Sequence, residues 1–227
     1  MFAYYQLWAL AVVSIVVLLF TTYVSSSHDL VHRNLGINKT LNGFLLTLME
    51  MLVLRSGHTF KIAHLNHHKY FPNHEDIEGR TARMSLLRTL LEGPVYQFRL
   101  YAWAWKKATA KDKPWLLVEG LWFISLVGLS IFLFPLSPLL FIYVCLVLVG
   151  SWIYPLFTVY IPHNAKETDP LFQTKAFRGP VLSTLFAHHN YHLEHHLYPM
   201  VPHQNWHKLS KRLDPYFNKL GVKIIKI

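Results

Sequence analysis

His188-His189-Asn190-Tyr191-His192-Leu193-Glu194-His195-His196-Leu197-Tyr198-Pro199 packs five histidines into nine residues, and the chain is organised around it. On a helix His192 lies one turn from His195 and His196, which gathers three imidazoles on one face. Imidazole is the commonest borderline metal ligand, and so dense a cluster is costly to bury without an ion. A surface tract that scavenges metal has the same local composition. Repetition separates the two readings. His64-Leu65-Asn66-His67-His68 has the same H-x-x-H-H form, and His28-Asp29-Leu30-Val31-His32 gives H-x-x-x-H.

The 227 residues as a whole suit a membrane. They are 52% hydrophobic with a mean hydropathy of +0.25, above the range of an ordinary soluble domain. The length suits one domain, 1–227. The formal charge is +10 with fifteen histidines counted neutral. On an apolar chain that excess of Lys and Arg matches anionic lipid headgroups, not nucleic acid. The single cysteine, Cys145, sits in an apolar run, which excludes an internal disulfide and a cysteine-held zinc or iron–sulfur site.

Taken in order, Phe2–Val24 is apolar and uncharged, long enough to cross a hydrocarbon core of ~30 Å. With no basic residue before Arg33 it reads as a span and not as a signal peptide. It delivers His28 to the membrane exit. Leu41–Leu54 is apolar but short and carries Glu50, which suits a re-entrant or interfacial helix. A crossing there would put the first two histidine boxes on opposite sides. Arg55–Lys113 is basic and aromatic, with Tyr101, Trp103 and Trp105, as at a membrane interface. Trp115–Phe134 and Leu139–Tyr160 are two further spans joined by Pro135-Leu136-Ser137-Pro138, and Pro155 implies a kink. Every Lys and Arg lies in Arg33–Lys113 or Lys166–Lys226. The positive-inside rule therefore puts all three boxes on the cytoplasmic side. The expected fold is all-α and integral to the membrane, with three spans, the re-entrant or interfacial helix, and a cytoplasmic helical cap carrying the boxes.

A structural zinc uses four ligands and a catalytic zinc three. His28, His32, His64, His67, His68, His192, His195 and His196 exceed both, and point to two ions with open positions. His163, in Ile161-Pro162-His163-Asn164 just after the last span, is a further candidate. The boxes H-D-x-x-H, H-x-x-H-H and N-Y-H-L-E-H-H-L-Y-P, in this order around an apolar hairpin, resemble those of the membrane fatty acid desaturase superfamily. That group includes acyl desaturases, lipid hydroxylases and carotenoid ketolases and hydroxylases. The resemblance runs from His28 to about Trp206. It implies a non-haem di-iron centre that uses O2, with all nine of these histidines as ligands. It also implies a lipid or acyl-chain substrate. Electrons would come from a separate ferredoxin-type or cytochrome b5-type carrier, since no fused cytochrome b5-like segment is present. The chain departs from the family in having one span before the first box, as in a truncated or minimal member, and in a length nearer the carotenoid ketolases.

Among the other polar residues, Asp29 and Glu194 are placed to orient ligand imidazoles, and Asn190 to hydrogen-bond a metal-bound water. His58, His74, His188 and His189 read as neighbours of the site or as surface, and His203 and His207 as interface residues. The leading functional expectation is a fatty acyl desaturase, favoured by the form of the third box. Carotenoid ketolation or hydroxylation is the alternative favoured by length. A membrane metal-binding or transport protein would need ionisable groups along its spans, where Glu50 and Glu119 are the candidates.

Overall fold

Gln6 adopts a left-handed backbone (φ 58°), and the first helix begins after it, at Trp8 instead of Phe2. The computed structural model describes residues 1–185 and 187–227. The side chains of Tyr23 and Val24, which end the expected Phe2–Val24 span, lie outside the described set, as do those of Leu182 and Leu185. α1 (Trp8–Phe20) continues through a π-helical stretch, Thr21–Ser27, into α2 (His28–His32). Thr21, Thr22 and Ser25 turn their hydroxyls onto carbonyls four residues back, which loosens a helix at the point where it changes pitch. Span and first box are thus one 25-residue helix, ~37 Å long. Arg33, again left-handed, ends it.

Two more helices have membrane length. α6 (Lys113–Phe132) and α7 (Leu139–Ser151) form a hairpin. After α7 the helix breaks at Trp152 and Ile153 and resumes as a π-helical stretch, Pro155–Tyr160. Proline has no N–H to give, so the kink expected at Pro155 is a break just ahead of it. Gly93 packs against that break. A Cβ there would fall 2.2 Å from the Trp152 carbonyl oxygen. With Trp8–His32, the segments Lys113–Phe132 and Leu139–Tyr160 give three apolar helices able to cross a bilayer. Val12, Val13 and Val17 on α1, and Leu121, Ile124 and Ile131 on α6, face outward uncovered. Apolar surface this extensive belongs in hydrocarbon, so the chain is a multi-pass membrane protein.

The remaining helices position the boxes. α3 (Lys39–Leu52) is ~21 Å long and opens with Asn38 Oδ1 accepting from the Leu41 N–H at 2.9 Å. Its polarity is inverted: Leu41, Phe44, Leu48 and Leu52 are exposed, while Asn42, Thr47 and Glu50 are buried. α4 (Gly57–Tyr70) carries the second box. Glu119 of α6 caps its N-terminus, accepting from the His58 N–H at 3.2 Å and the Ser56 hydroxyl at 2.6 Å. A carboxylate there complements the positive end of the helix dipole. A 3₁₀ turn (Glu78–Arg83) leads to α5 (Leu86–Lys107). Leu19, Leu30, Leu46, Val53, Val144 and Val147 join the spans to α2 and α3 in one core.

The C-terminal third holds α8 (Pro180–Leu185), α9 (His192–Leu197) and α10 (Trp206–Lys219). Among the described residues the only strands form a small ribbon not expected from sequence. There β1 (Ala176–Arg178) pairs in parallel with β2 (Ile224–Lys226), Ala176 opposite Ile224. Ala176, Leu193, Phe217 and Val222 form a second core that fixes α9.

Candidate metal centre

All nine expected histidines come together, in two groups. His28, His32, His64, His68 and His195 form one, and His67, His163, His192 and His196 the other. Within each group the ligand nitrogens lie within 4.8 Å of one another. Helical geometry explains the division. Residues i and i+4 point 40° apart, whereas i+3 points 60° to the opposite side. His28 with His32, and His64 with His68, therefore serve the first group as i, i+4 pairs, and His192 with His196 serve the second. The i+3 members cross over: His67 joins the second group and His195 the first. The three imidazoles of a box share a face, as expected, but not an ion site.

The geometry within each group fits a bound cation. Nε2–Nε2 separations are 3.0 Å for His28–His195, 2.7 Å for His195–His68 and 3.2 Å for His68–His64. In the second group they are 2.9 Å for His67–His163, 3.2 Å for His163–His192 and 3.1 Å for both His163–His196 and His192–His196. Two imidazoles in neighbouring positions at ~2.1 Å from one ion lie ~3.0 Å apart. The tautomers strengthen the point. His64 donates from Nδ1 to Glu78 at 3.1 Å, His67 from Nδ1 to Asp76 at 2.8 Å, and His163 from Nδ1 to the Val159 carbonyl at 2.8 Å. When these rings are neutral, each turns a bare Nε2 lone pair inward. His67 and His163 then face each other lone pair to lone pair. His163 also meets His192 and His196, and one lone pair cannot accept from three neighbours. A metal ion at the centre would satisfy these inward Nε2 atoms at once.

Burial, followed by the neighbouring imidazoles, holds His64, His68, His192, His195 and His196 well below 6.5, so these rings are neutral and able to ligate. His163 is lowered the same way, by burial and then by His67. His67 differs. Burial alone would lower it, but the Asp76 and Glu78 carboxylates raise it. The same negative charge that favours a proton on His67 favours a metal cation beside it.

Asp76 and Glu78 are the carboxylates that hydrogen-bond rings of the two groups, and sequence reasoning missed both. The available signal was the acidic run Glu75-Asp76-Ile77-Glu78 directly after the second box. Asp29 and Glu194, expected in that role, have other partners. Asp29 accepts from His203 Nδ1 at 2.7 Å and from the His203 N–H at 3.1 Å. It ties α2 to the segment after α9, so the half-buried His203 acts as a tether between them. Glu194 faces away from the rings and pairs with Arg178, which also binds Asp214 at 2.6 Å. Burial pushes the Glu194 carboxyl up to about 7 in spite of that guanidinium. This trio pins β1, α9 and α10 together. Asn190 donates to Ser183 Oγ at 2.9 Å, and its Oδ1 has no protein partner. His58 bonds Glu119 through Nδ1 at 2.9 Å and stacks on Trp115. His74 is exposed, the His188 and His207 rings meet at a tilt with centroids 5.0 Å apart, and His189 is buried beside His192. Trp206, fully buried, closes the site from outside with its ring 4.9 Å from that of His195.

Three apolar helices that bring a buried, paired polyhistidine centre to one end define a class: multi-pass membrane metalloproteins. The comparisons with known proteins narrow it. The fatty acid desaturase family profile matches residues 5–227, and the chain belongs to that family. A sphingolipid delta(4)-desaturase DES1-like protein of Oryza sativa subsp. japonica is 26% identical over 172 residues, covering 71% of this chain and 50% of the relative. The chain thus spans about half the length of the curated relative it matches. No solved structure matches it.

Proposed function

We propose that the chain is a membrane di-iron oxidoreductase that uses O2 to oxidise a C–H bond in a lipid chain, and within that class a fatty acyl desaturase. The observation that carries this reading is the five-and-four division of nine inward-facing imidazoles at one end of three apolar helices. Iron bound in both groups would supply oxygen-dependent hydrogen removal from unactivated carbon, which no side-chain acid or base performs. The chain supplies the rest. Asp76, Glu78 and the Val159 carbonyl hold three rings in the ligating tautomer. Trp206 and Phe60 keep bulk water from the histidines, Phe60 lying 5.2 Å from the His64 ring. A 310 Å³ cavity lined by Phe98, Leu117, Leu121, Phe123, Leu148 and Trp152 offers lodging for an alkyl chain. Thr59 forms part of its wall, one residue before Phe60, so the first turn of α4 stands between chain and metal groups. Positioning of this kind decides which carbon is oxidised. The relative's name, a sphingolipid desaturase, supports desaturation as the outcome.

We assign residues 1–227 to one domain, since the metal groups draw on residues from His28 to His196. α3 is placed as the re-entrant or interfacial helix, on its length and outward leucines. The segments around the boxes form a cytoplasmic helical cap, on the placement of Lys and Arg. Electrons are assigned to a separate carrier of ferredoxin or cytochrome b5 type. The exposed Lys208, Lys211, Arg212 and Lys219 of α10 suit an acidic partner. Reporter fusions after Lys113, within the Pro135–Pro138 turn and after Ile227 are expected to read inside, outside, inside. Opposite readings after Lys113 and Ile227 would rule out a shared site.

Expression in a host that makes both saturated acyl lipids and β-carotene tests the reaction. New double bonds in acyl chains support the proposal. Oxidised carotenoid rings with unchanged acyl chains would replace it with ketolation or hydroxylation by the same centre.

A further inference from the structure

The 310 Å³ cavity among α5, α6 and α7 has a largely apolar wall, and most polar side chains that reach it are already paired. Arg55 is held by Glu50 at 2.9 Å. Ser56 donates to Glu119 at 2.6 Å, Tyr101 to the Leu116 carbonyl at 2.7 Å and Ser151 to the Leu148 carbonyl at 2.7 Å. Two side chains differ. Thr59 lines the cavity and is 3% exposed, yet its Oγ1 has no hydrogen-bond partner. Its place on α4 explains why. A threonine within a helix can turn its hydroxyl to the carbonyl four residues back, as Thr22 and Thr158 do. For Thr59 that carbonyl belongs to Arg55, ahead of the N-cap Ser56 and off the helix. Gln97 of α5, half-buried and also lining the cavity, forms no side-chain hydrogen bond with any described residue. A hydroxyl and an amide left open in an apolar cavity are destabilising beside pure hydrocarbon, and favourable beside an occupant that brings them a polar group. Thr59 directly precedes Phe60, whose ring lies 5.2 Å from that of His64, so the open hydroxyl is at the metal end.

We propose that the lipid chain oxidised here carries a hydroxyl group, hydrogen-bonded by Thr59 and Gln97, and that Thr59 is the residue that selects it. A hydroxyl both donates and accepts, as both side chains do, and is small enough to sit among alkyl walls. The inference rests on the reading of this cavity as the seat of the lipid chain. A plain chain leaves both side chains unpaired, so selection comes from what the competitor fails to satisfy. With Thr59 at the metal end, the hydroxyl falls close to the carbon that is oxidised.

Binding to the full chain in mild detergent tests the proposal, with octadecanoate and a series of hydroxyoctadecanoates that differ only in the position of the hydroxyl. At least one isomer is expected to bind wild type about tenfold or more tighter than octadecanoate. Thr59→Val keeps the shape without the hydroxyl and is expected to abolish that preference. Thr59→Ser is expected to retain it, and Gln97→Leu to weaken it. Equal affinity of wild type for octadecanoate and every hydroxylated isomer would overturn the proposal, as would a preference that survives in Thr59→Val. If Thr59→Val binds neither ligand, the cavity has collapsed and Gln97→Leu decides: an undiminished preference there overturns the proposal. Oxidised product is measured separately. A hydroxyl preference in protein that forms no product with iron and O2 would leave this assignment standing and overturn the di-iron reading.

Discussion

His163→Ala is expected to lose the metal of the four-histidine group and with it activity, by more than about 100-fold. His203→Ala is expected to keep both metals. Both histidines lie near the membrane in similar surroundings of sequence, Asn164 beside one and Gln204 beside the other. Their places differ. His163 is fixed by its Nδ1 bond to Val159, one turn back in the π-helical end of the last span, and its Nε2 meets His67, His192 and His196. His203 points to Asp29. Removing His203 leaves a buried carboxylate with one donor fewer, a stability loss of about 1–3 kcal/mol, and a looser tie between α2 and the segment after α9. Metal analysis of both variants at matched expression separates them. Equal metal loss in the two would mean that the edge of the site has been drawn in the wrong place.

Asp76→Asn is expected to lower metal affinity by about 10–100-fold although Asp76 touches no metal position. Its carboxylate accepts twice, from His67 Nδ1 at 2.8 Å through one oxygen and from the Gly79 N–H at 2.9 Å through the other. An asparagine replaces one acceptor with a donor. It must either face the Gly79 N–H with its own N–H₂, breaking the 3₁₀ turn, or face His67 and drive the proton to Nε2. The second outcome removes the inward lone pair. Glu75→Gln, one residue away and exposed, is the control and should change nothing. Rates of iron release to a chelator measure the difference. Equal rates in Asp76→Asn and wild type would remove Asp76 from the centre.

The sequence carried the spans and the clustered histidines in plain view, because each rests on a local signal: hydropathy over twenty residues, and histidines at helical spacing. The partition of those ligands was not visible. It depends on which side of α4 and α9 faces which group, so His67 and His195 exchange places only once the helices are packed. Asp76 and Glu78 were missed because they reach back to α4 from the irregular segment after it and the start of the 3₁₀ turn, where helical spacing gives no guide. Asp29 and Glu194 were assigned to the rings because they sit between histidines in sequence. Neighbouring positions on a helix point 100° apart, which is why Glu194 meets Arg178 instead. The β1–β2 ribbon joins segments separated by the whole of α8, α9 and α10, and three residues on each side leave no pattern to read. Glu119 entered the sequence reading only as an ionisable candidate along a span. It is the cap of α4, and only the fold brings it there.

Metal analysis of the full chain, purified in mild detergent, tests the central claim most directly. Two irons per chain, lost to fewer than two in His67→Ala and in His195→Ala alike, is the expected result, since each of these histidines serves a different group. One zinc per chain with no iron, in protein that still binds its metal after either substitution, would contradict the account.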